Sequence, residues 1–150
     1  MSPAAGDEIL VFESRIQIPY RWSAGILGTR FFMALKEKKL LGSRCPVCGK
    51  VYLPPVQHCG NCFAACEDRW GIGPQGNLVS FTQALYKSPA QPAQNPIYGL
   101  IRLDGADTAL LHLVGEVSPS DLKIGLRVEA VFAERPSGGL FDLRYFRPIR

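Results

Sequence analysis

The sequence predicts a mainly β fold in which an N-terminal helical segment is followed by a four-cysteine ribbon and a small five-stranded barrel. Three observations support this order. Apolar residues recur at three- and four-residue spacing ahead of the cysteines, all five cysteines fall within residues 45–66, and from Asn77 onward the apolar pattern has a period of two. We therefore expect a helical segment over residues 1–44, the ribbon over 45–70 and the barrel over 71–150.

The composition is that of a globular chain. The 150 residues are 47% hydrophobic and 20% charged, which excludes a wholly disordered protein. No apolar run approaches the 18 residues of a membrane span, and residues 1–6 lack the basic start and apolar run of a signal peptide. We expect a cytoplasmic protein without a membrane partner, in which clustered cysteines bind metal rather than form disulfides.

A helix is predicted before the first cysteine. Ser23 is a suitable N-cap, and Gly42 ends the helix or a short strand that follows it. The apolar face of this helix is formed by Leu27, Phe31, Ala34 and Leu35.

The net charge of +4 is concentrated in one early segment. Residues 1–14 hold Asp7, Glu8 and Glu13 and no basic residue, whereas residues 15–50 hold eight Lys and Arg against Glu37 alone. An anionic partner and a solvated basic helix face both account for this pattern.

The cysteines form two matched pairs, Cys45-Pro46-Val47-Cys48 and Cys59-Gly60-Asn61-Cys62, with ten residues between them. Two residues between thiolates let one tight turn present both sulfurs to one ion, and four sulfurs match closed tetrahedral zinc. We predict a structural rather than catalytic zinc, although four thiolates also suit iron. The spacer residues Val51, Tyr52 and Leu53 suit one strand of a two-stranded ribbon, which should unfold when the metal is lost.

The remaining reactive residues form no catalytic set. Cys66 lies outside the paired cysteines and is expected to pack as a small apolar residue, His58 is not needed as a ligand, and His112 sits in an apolar strand. The chain has no evident nucleophile–base pair and no glycine-rich phosphate loop. We therefore assign no catalytic residue to it.

Five strands are predicted after the ribbon. They cover roughly residues 77–85, 97–103, 108–117, 127–134 and 140–146. A proline-rich loop over 88–96 separates the first two, Asp104-Gly105-Ala106-Asp107 is a hairpin signal, and residues 122–126 form a helical or looped connection. Five strands in this space suit an oligonucleotide/oligosaccharide-binding (OB) barrel, and another small barrel or an open sheet fits as well.

Taken together, these motifs resemble the family of acyl-CoA-associated proteins that combine a rubredoxin-like zinc ribbon with a C-terminal OB fold. The resemblance covers roughly residues 15–148. It is carried by the segments Pro19–Gly25, Arg30–Phe32, Leu41–Cys45, Val51–Pro55, Gly76–Thr82 and Leu122–Val128.

The resemblance implies a non-catalytic partner of an enzyme that handles acyl-CoA thioesters. Members accompany thiolases or hot-dog-fold hydratases, and the likeness is greatest to the small subunit that accompanies the thiolase for 2-benzoylsuccinyl-CoA in anaerobic toluene degradation. Catalytic residues would then lie in the thiolase-like partner. A single-stranded nucleic-acid module is the alternative that the barrel and ribbon allow, and it is disfavoured because residues 51–150 have no net charge.

The resemblance implies one of two roles for the basic segment. The segment would bind the phosphates of coenzyme A, or it would dock on an acidic enzyme surface. Tyr20 and Trp22 are the expected interface anchors. The full set of expected contacts to coenzyme A or the partner is Tyr20, Arg21, Trp22, Arg30, Lys36, Lys38, Lys39 and Arg44.

Overall fold

The computed structural model describes residues 11–12, 18–86 and 95–149. One helix, α1 (Gly25–Lys36), precedes a three-stranded sheet and a closed five-stranded barrel. The sheet contains β1 (Leu40–Arg44), β2 (Val51–Tyr52) and β3 (Glu67–Ile72). The barrel contains β4 (Gln75–Gln83), β5 (Ile97–Leu103), β6 (Leu110–Val114), β7 (Arg127–Phe132) and β8 (Leu143–Pro148). The predicted fold class is confirmed.

Helix α1 buries the face that the sequence predicted. Phe31, Ala34 and Leu35 are buried, while the opposite face is exposed. The predicted N-cap was wrong by one residue: Ala24 occupies the cap position, and Ser23 Oγ accepts a hydrogen bond from the Gly25 N–H at 3.2 Å. Gly25 adopts a φ of +66°, a backbone turn that delays the helix beyond Ser23.

The ribbon sheet has three strands, not the two that were predicted. Strand β1 lies in the centre and pairs antiparallel with β2 and β3. Gly42, expected to end an element, lies inside β1 next to a register shift. A Cβ at Gly42 would lie 2.5 Å from the carbonyl oxygen of Tyr52, so the close approach of β2 requires glycine there.

The barrel strands follow the order β4-β5-β6-β8-β7, and β7 pairs back with β4. Strand β5 has the predicted bounds, while β6 is shorter than predicted. The last strand begins at Leu143 rather than 140, because Leu140–Asp142 forms one turn of 3-10 helix. Another such turn, Pro119–Asp121, precedes the predicted connection over 122–126.

Strand β6 and strand β8 close the barrel through a short parallel contact. Val114 and Phe146 are the one residue pair in register between them, and the Gly115 N–H donates to the Phe146 carbonyl at 2.8 Å. Gly115 lies against the ring of Tyr145, whose hydroxyl donates to Glu116 at 2.6 Å. We call this contact the barrel seam.

The ribbon and barrel are joined by hydrogen bonds at the free edge of β2. The Val51 N–H donates to the Asp107 carboxylate at 2.8 Å, and the Asp107 N–H donates to the Val51 carbonyl at 2.9 Å. Thr108 Oγ1 accepts from the Leu53 N–H at 2.8 Å. One continuous cluster of buried apolar residues extends from α1 through the ribbon into the barrel.

Several predicted features lie outside the described residues. They are the acidic start with Asp7, Glu8 and Glu13, the basic Arg15, and most of the proline-rich loop, including Pro89 and Pro92. Within the described part of the chain, no helix is both long and apolar enough to cross a membrane.

Candidate functional site

Four cysteines converge at the end of the ribbon. Cys45 follows β1, and Cys59 lies beside the isolated bridge between His58 and Ala65. The sulfurs of Cys45, Cys48, Cys59 and Cys62 all lie within 4.8 Å of one another. The chain thus brings together the four residues that the sequence predicted as metal ligands.

Each cysteine pair sits in a tight turn that we call a knuckle. In the first knuckle, the Gly49 N–H donates to the Cys45 carbonyl at 2.9 Å. In the second, the Phe63 N–H donates to the Cys59 carbonyl at 2.9 Å. The two turns have the same design, which directs both sulfurs of each pair toward the other pair.

The sulfur geometry suits tetrahedral zinc. Cys48 Sγ and Cys59 Sγ are 3.7 Å apart, and a zinc–sulfur distance of about 2.3 Å places tetrahedral ligands about 3.8 Å apart. Cys45 and Cys59 are fully buried, and the four sulfurs leave no position for water or substrate. The metal that these donors suit would therefore stabilise the ribbon rather than take part in a reaction.

Hydrogen bonds around Cys59 favour its thiolate form. The Tyr52 hydroxyl accepts from the Gly60 N–H at 3.1 Å and lies 3.1 Å from Cys59 Sγ, to which it donates. This bond is the main cause that lowers the pKa of Cys59 to about 6, and the N–H groups of Cys62 and Asn61 add to it.

The pKa of Cys62, the second cysteine of this knuckle, shifts in the opposite direction. A hydrogen bond with Cys48, together with burial, raises the pKa of Cys62 to about 12. Four sulfurs this close repel one another as anions, and a bound cation removes that repulsion. We therefore expect the four sulfurs to bind a metal ion.

The other reactive side chains, Cys66, His58 and His112, lie in different environments. Cys66 packs beside the sulfur cluster, where burial is the main cause that raises its pKa. His58 is exposed. His112 contacts the edge of Phe146 in the barrel, and its buried Nδ1 has no hydrogen-bond partner among the described residues. Burial there lowers the pKa of His112, which favours the neutral imidazole.

The predicted aromatic anchors are exposed. Tyr20 and Trp22 are 77% and 67% exposed, and the ring of Trp22 meets Phe32 edge-on with centroids 6.4 Å apart. Arg21 lies between them and is also exposed. Tyr20, Arg21 and Trp22 precede α1. We call the exposed apolar residues Ile18, Tyr20 and Trp22, together with Ile26 in the first turn of α1, the apolar segment.

The predicted basic residues do not form one patch. Arg30 forms an ion pair with Asp68, and the Arg44 guanidinium lies 4.7 Å from the Trp70 ring centroid, so both flank β3. Lys36, Lys38 and Lys39 instead lie around the C-terminal end of α1, where Lys39 pairs with Glu37 at 2.8 Å.

A cavity of about 230 Å³ opens beside two of these lysines. Lys38 and Lys39 lie at its lining together with apolar residues of the ribbon and barrel: Leu40, Leu41, Ile72, Pro74 and Phe132. Sequence reasoning missed this cavity because its walls come from the turn after α1, from β1 and β3 of the ribbon and from β7, which are distant in the chain.

The one aromatic and basic run in the barrel is not a stacking platform. Phe146 is fully buried, the Tyr145 hydroxyl is bonded to Glu116, and Arg147 pairs with Glu116 and Glu129. Of this run, Arg144 is the residue left exposed without an ion pair in the described structure. Nucleic-acid binding by stacked bases gains no support here.

Comparison with known proteins gives matches over most of the chain. The rubredoxin-like zinc ribbon domain of ChsH2 matches residues 33–67, and the C-terminal OB-fold domain of ChsH2 matches residues 72–133. A DUF35 domain-containing scaffold protein of Methanocaldococcus jannaschii is 28% identical over 127 residues, which cover 80% of this chain and 89% of the relative.

Two solved structures share the fold. The Ltp2-ChsH2(DUF35) aldolase matches with a TM-score of 0.68 and 22% identity, over 85% of this chain and 98% of that chain. A DUF35-family protein of unknown function from Sulfolobus solfataricus matches with a TM-score of 0.63 and 24% identity, over 83% and 87% of the two chains. The order of zinc ribbon and barrel is thus common to these proteins.

Proposed function

This chain belongs to the ChsH2-type family, in which a rubredoxin-like zinc ribbon precedes a C-terminal OB-fold domain, and on this premise we propose that it is a non-catalytic auxiliary subunit of a heteromeric enzyme that processes acyl-CoA thioesters. Two relatives support a role in an assembly. One is described as a scaffold protein, and the other is a ChsH2 domain described together with Ltp2 as an aldolase.

The observation that carries the proposal is the exposed apolar surface ahead of the ribbon. Ile18, Tyr20, Trp22, Ile26 and Met33 are each at least half exposed. The opposite face of α1 already packs on the core, so these side chains are not needed to fold the helix. Large apolar side chains grouped on a surface are typical of protein interfaces.

The metal centre supports a structural role for this chain. All four sulfurs belong to the chain itself, and two of the cysteines are fully buried. A closed zinc site offers no position for a substrate. The nucleophile and the acid–base groups of the reaction therefore come from the catalytic partner.

The specific partner that we propose is a thiolase, with 2-benzoylsuccinyl-CoA as its substrate in anaerobic toluene degradation. This choice rests on the family resemblance of the sequence. A thiolase cleaves an acyl-CoA with a reactive cysteine and acid–base residues. The large subunit would supply these residues, and we propose that the complex is cytoplasmic.

Coenzyme A would lie at the interface. Lys36 and Lys38 are the first proposed contacts for its phosphates, since Lys38 lines the cavity after α1 and Lys36 ends the helix. Lys39 also lines the cavity but already pairs with Glu37. Arg30 is less suited to phosphate because Asp68 already pairs with its guanidinium group, and Arg44 lies over Trp70 and does not line this cavity.

The test is isolation of the complex from the native host with a tag on this chain, followed by reconstitution. We expect a stoichiometric acyl-CoA enzyme that loses activity or solubility when produced without this chain, while this chain alone has no activity. Replacing Trp22 with Ala should weaken the complex by about tenfold or more, as expected for an aromatic anchor.

The control is Leu111→Ala, since Leu111 is 66% exposed and lies on β6 of the barrel, outside the proposed apolar surface. Its affinity for the partner should equal that of the native chain. A hydratase in place of a thiolase would retain the auxiliary role and change the reaction. Full activity of the catalytic subunit alone, or recovery of nucleic acid instead of an enzyme, would refute the proposed function.

A further inference from the structure

The residue that follows the second cysteine differs between the two knuckles. Gly49 and Phe63 each follow the second cysteine of a pair, and each donates its N–H to the first cysteine's carbonyl at 2.9 Å. Gly49 has a φ of +75° and Phe63 has a φ of +58°. The turn thus requires the left-handed backbone region at both positions, where glycine is favoured and a phenylalanine is strained.

The strain at Phe63 is not offset by burial of its ring. The side chain is 80% exposed, and Phe63 is not part of either buried apolar cluster. Glycine would make the same turn without strain and without an exposed ring. The ring therefore contributes little to the fold of this chain, which points to a contact outside it.

A second apolar side chain lies at the same end of the ribbon. Val47 is 70% exposed and directly precedes Cys48, whereas Phe63 directly follows Cys62. Because the sulfurs of Cys48 and Cys62 lie within 4.8 Å of each other, both apolar residues border the sulfur cluster. We call Val47 and Phe63 the knuckle surface.

Two cations flank the first knuckle. The Arg44 guanidinium approaches the position of Gly49, where a Cβ would lie 3.8 Å from Nη2, and it stacks over Trp70 rather than pairing with Glu67, its neighbour in the sheet. The Lys50 ammonium lies 5.6 Å from the Tyr52 ring centroid. Neither cation forms an ion pair within the described residues. A partner surface with carboxylates would complement them.

We infer that the knuckle surface is a second docking site for the catalytic partner subunit, with Phe63 inserted into an apolar pocket bordered by carboxylates. This inference rests on the proposed function and adds a contact distinct from the apolar segment before α1. It assigns the zinc ribbon a direct role in assembly, since the metal fixes the turn that presents Phe63.

The test uses the complex isolated from the native host and two replacements of Phe63. Phe63→Gly removes both ring and strain, and Phe63→Asn removes the ring but retains a residue that tolerates the left-handed region. Both variants should keep zinc and melt at or above the native temperature. Their dissociation constants for the purified catalytic subunit should rise about tenfold, as for an interface anchor, whereas Leu111→Ala, at an exposed position on β6, leaves the constant unchanged.

The outcomes separate this inference from the proposed function. If the native chain forms the complex and both Phe63 variants bind equally well, the inference is wrong and the auxiliary role stands. If the native chain forms no complex, both are wrong. Binding of a single-stranded oligonucleotide that depends on Phe63, without an effect on the complex, would also overturn the inference.

Discussion

A single hydroxyl group connects the metal centre to the fold. Tyr52 is buried in β2, accepts a hydrogen bond from Gly60 and donates one to Cys59. Hydrogen bonds to metal ligands orient the ligand and stabilise its charged form. The paired cysteines were predicted from spacing, but this role of Tyr52 was not, because it depends on how β2 lies across the second knuckle.

Replacing Tyr52 with Phe should weaken zinc binding while leaving the ring packing intact. We expect an affinity about tenfold lower, typical for loss of a group that supports a ligand. The pKa of Cys59 should rise from about 6 toward its usual value, because the hydrogen bond that chiefly lowers it is lost. A thiol must lose its proton to bind zinc, so the variant should release zinc at a higher pH.

Competition with a chelator across a range of pH measures both effects. Tyr98→Phe serves as the control, since Tyr98 lies half-buried on β5, away from the sulfurs. Equal zinc affinity of Y52F and the native chain would show that the hydroxyl does not support the metal centre.

At the scale of elements, the barrel seam is the weakest point in the closed sheet. The contact between β6 and β8 has one residue pair in register and one flanking backbone hydrogen bond. A Cβ at Gly115 would lie 2.8 Å from Tyr145 Cδ2, and the hydrogen bond of the Tyr145 hydroxyl to Glu116 restrains that ring. The seam therefore has little room to adjust.

Gly115→Ala should lower the free energy of unfolding by about 1–3 kcal/mol, the usual cost of overpacking. Urea denaturation followed by tyrosine fluorescence measures the change. The control is Gly71→Ala in β3, where a Cβ would meet nothing within 4 Å. If both variants lose the same stability, the effect comes from backbone propensity and not from the seam.

The elements that sequence predicted best are those with local signals. Strand β5 alternates in burial along its length and is bounded by Pro96 and the turn at Asp104-Gly105, so its bounds were predicted correctly. Strand β3 begins with three charged residues and has no apolar alternation. Its partners in β1 lie 23 to 32 residues away in the chain. Such a strand has no signature in its own residues.

At the scale of the whole molecule, the zinc ribbon and the barrel stabilise each other. The apolar cluster that contains Leu53 of the ribbon also contains Leu103 and Phe146 of the barrel. Asp107 and Thr108 at the β5–β6 turn hydrogen-bond to the ribbon backbone. Loss of the ribbon would therefore expose one side of the barrel core.

Removal of zinc should consequently destabilise the entire chain. Structural zinc sites contribute about 10 kcal/mol or more to folding, more than the margin of most small proteins. We expect a chelator to lower the melting temperature and to increase amide hydrogen exchange in the barrel as well as in the ribbon. Restored zinc should reverse both changes. Barrel amides that stay protected without zinc would show that the two parts fold independently.

The hydrogen bonds at β2 also reduce the tendency of the protein to aggregate in a concentrated solution. A strand with an open edge offers free N–H and carbonyl groups to any extended chain that it meets, which is a common start of aggregation. Strand β2 pairs with β1 on one side, and on the other side its Val51 backbone bonds to Asp107 of the barrel turn. The same contact that joins ribbon to barrel thus closes one route to aggregation.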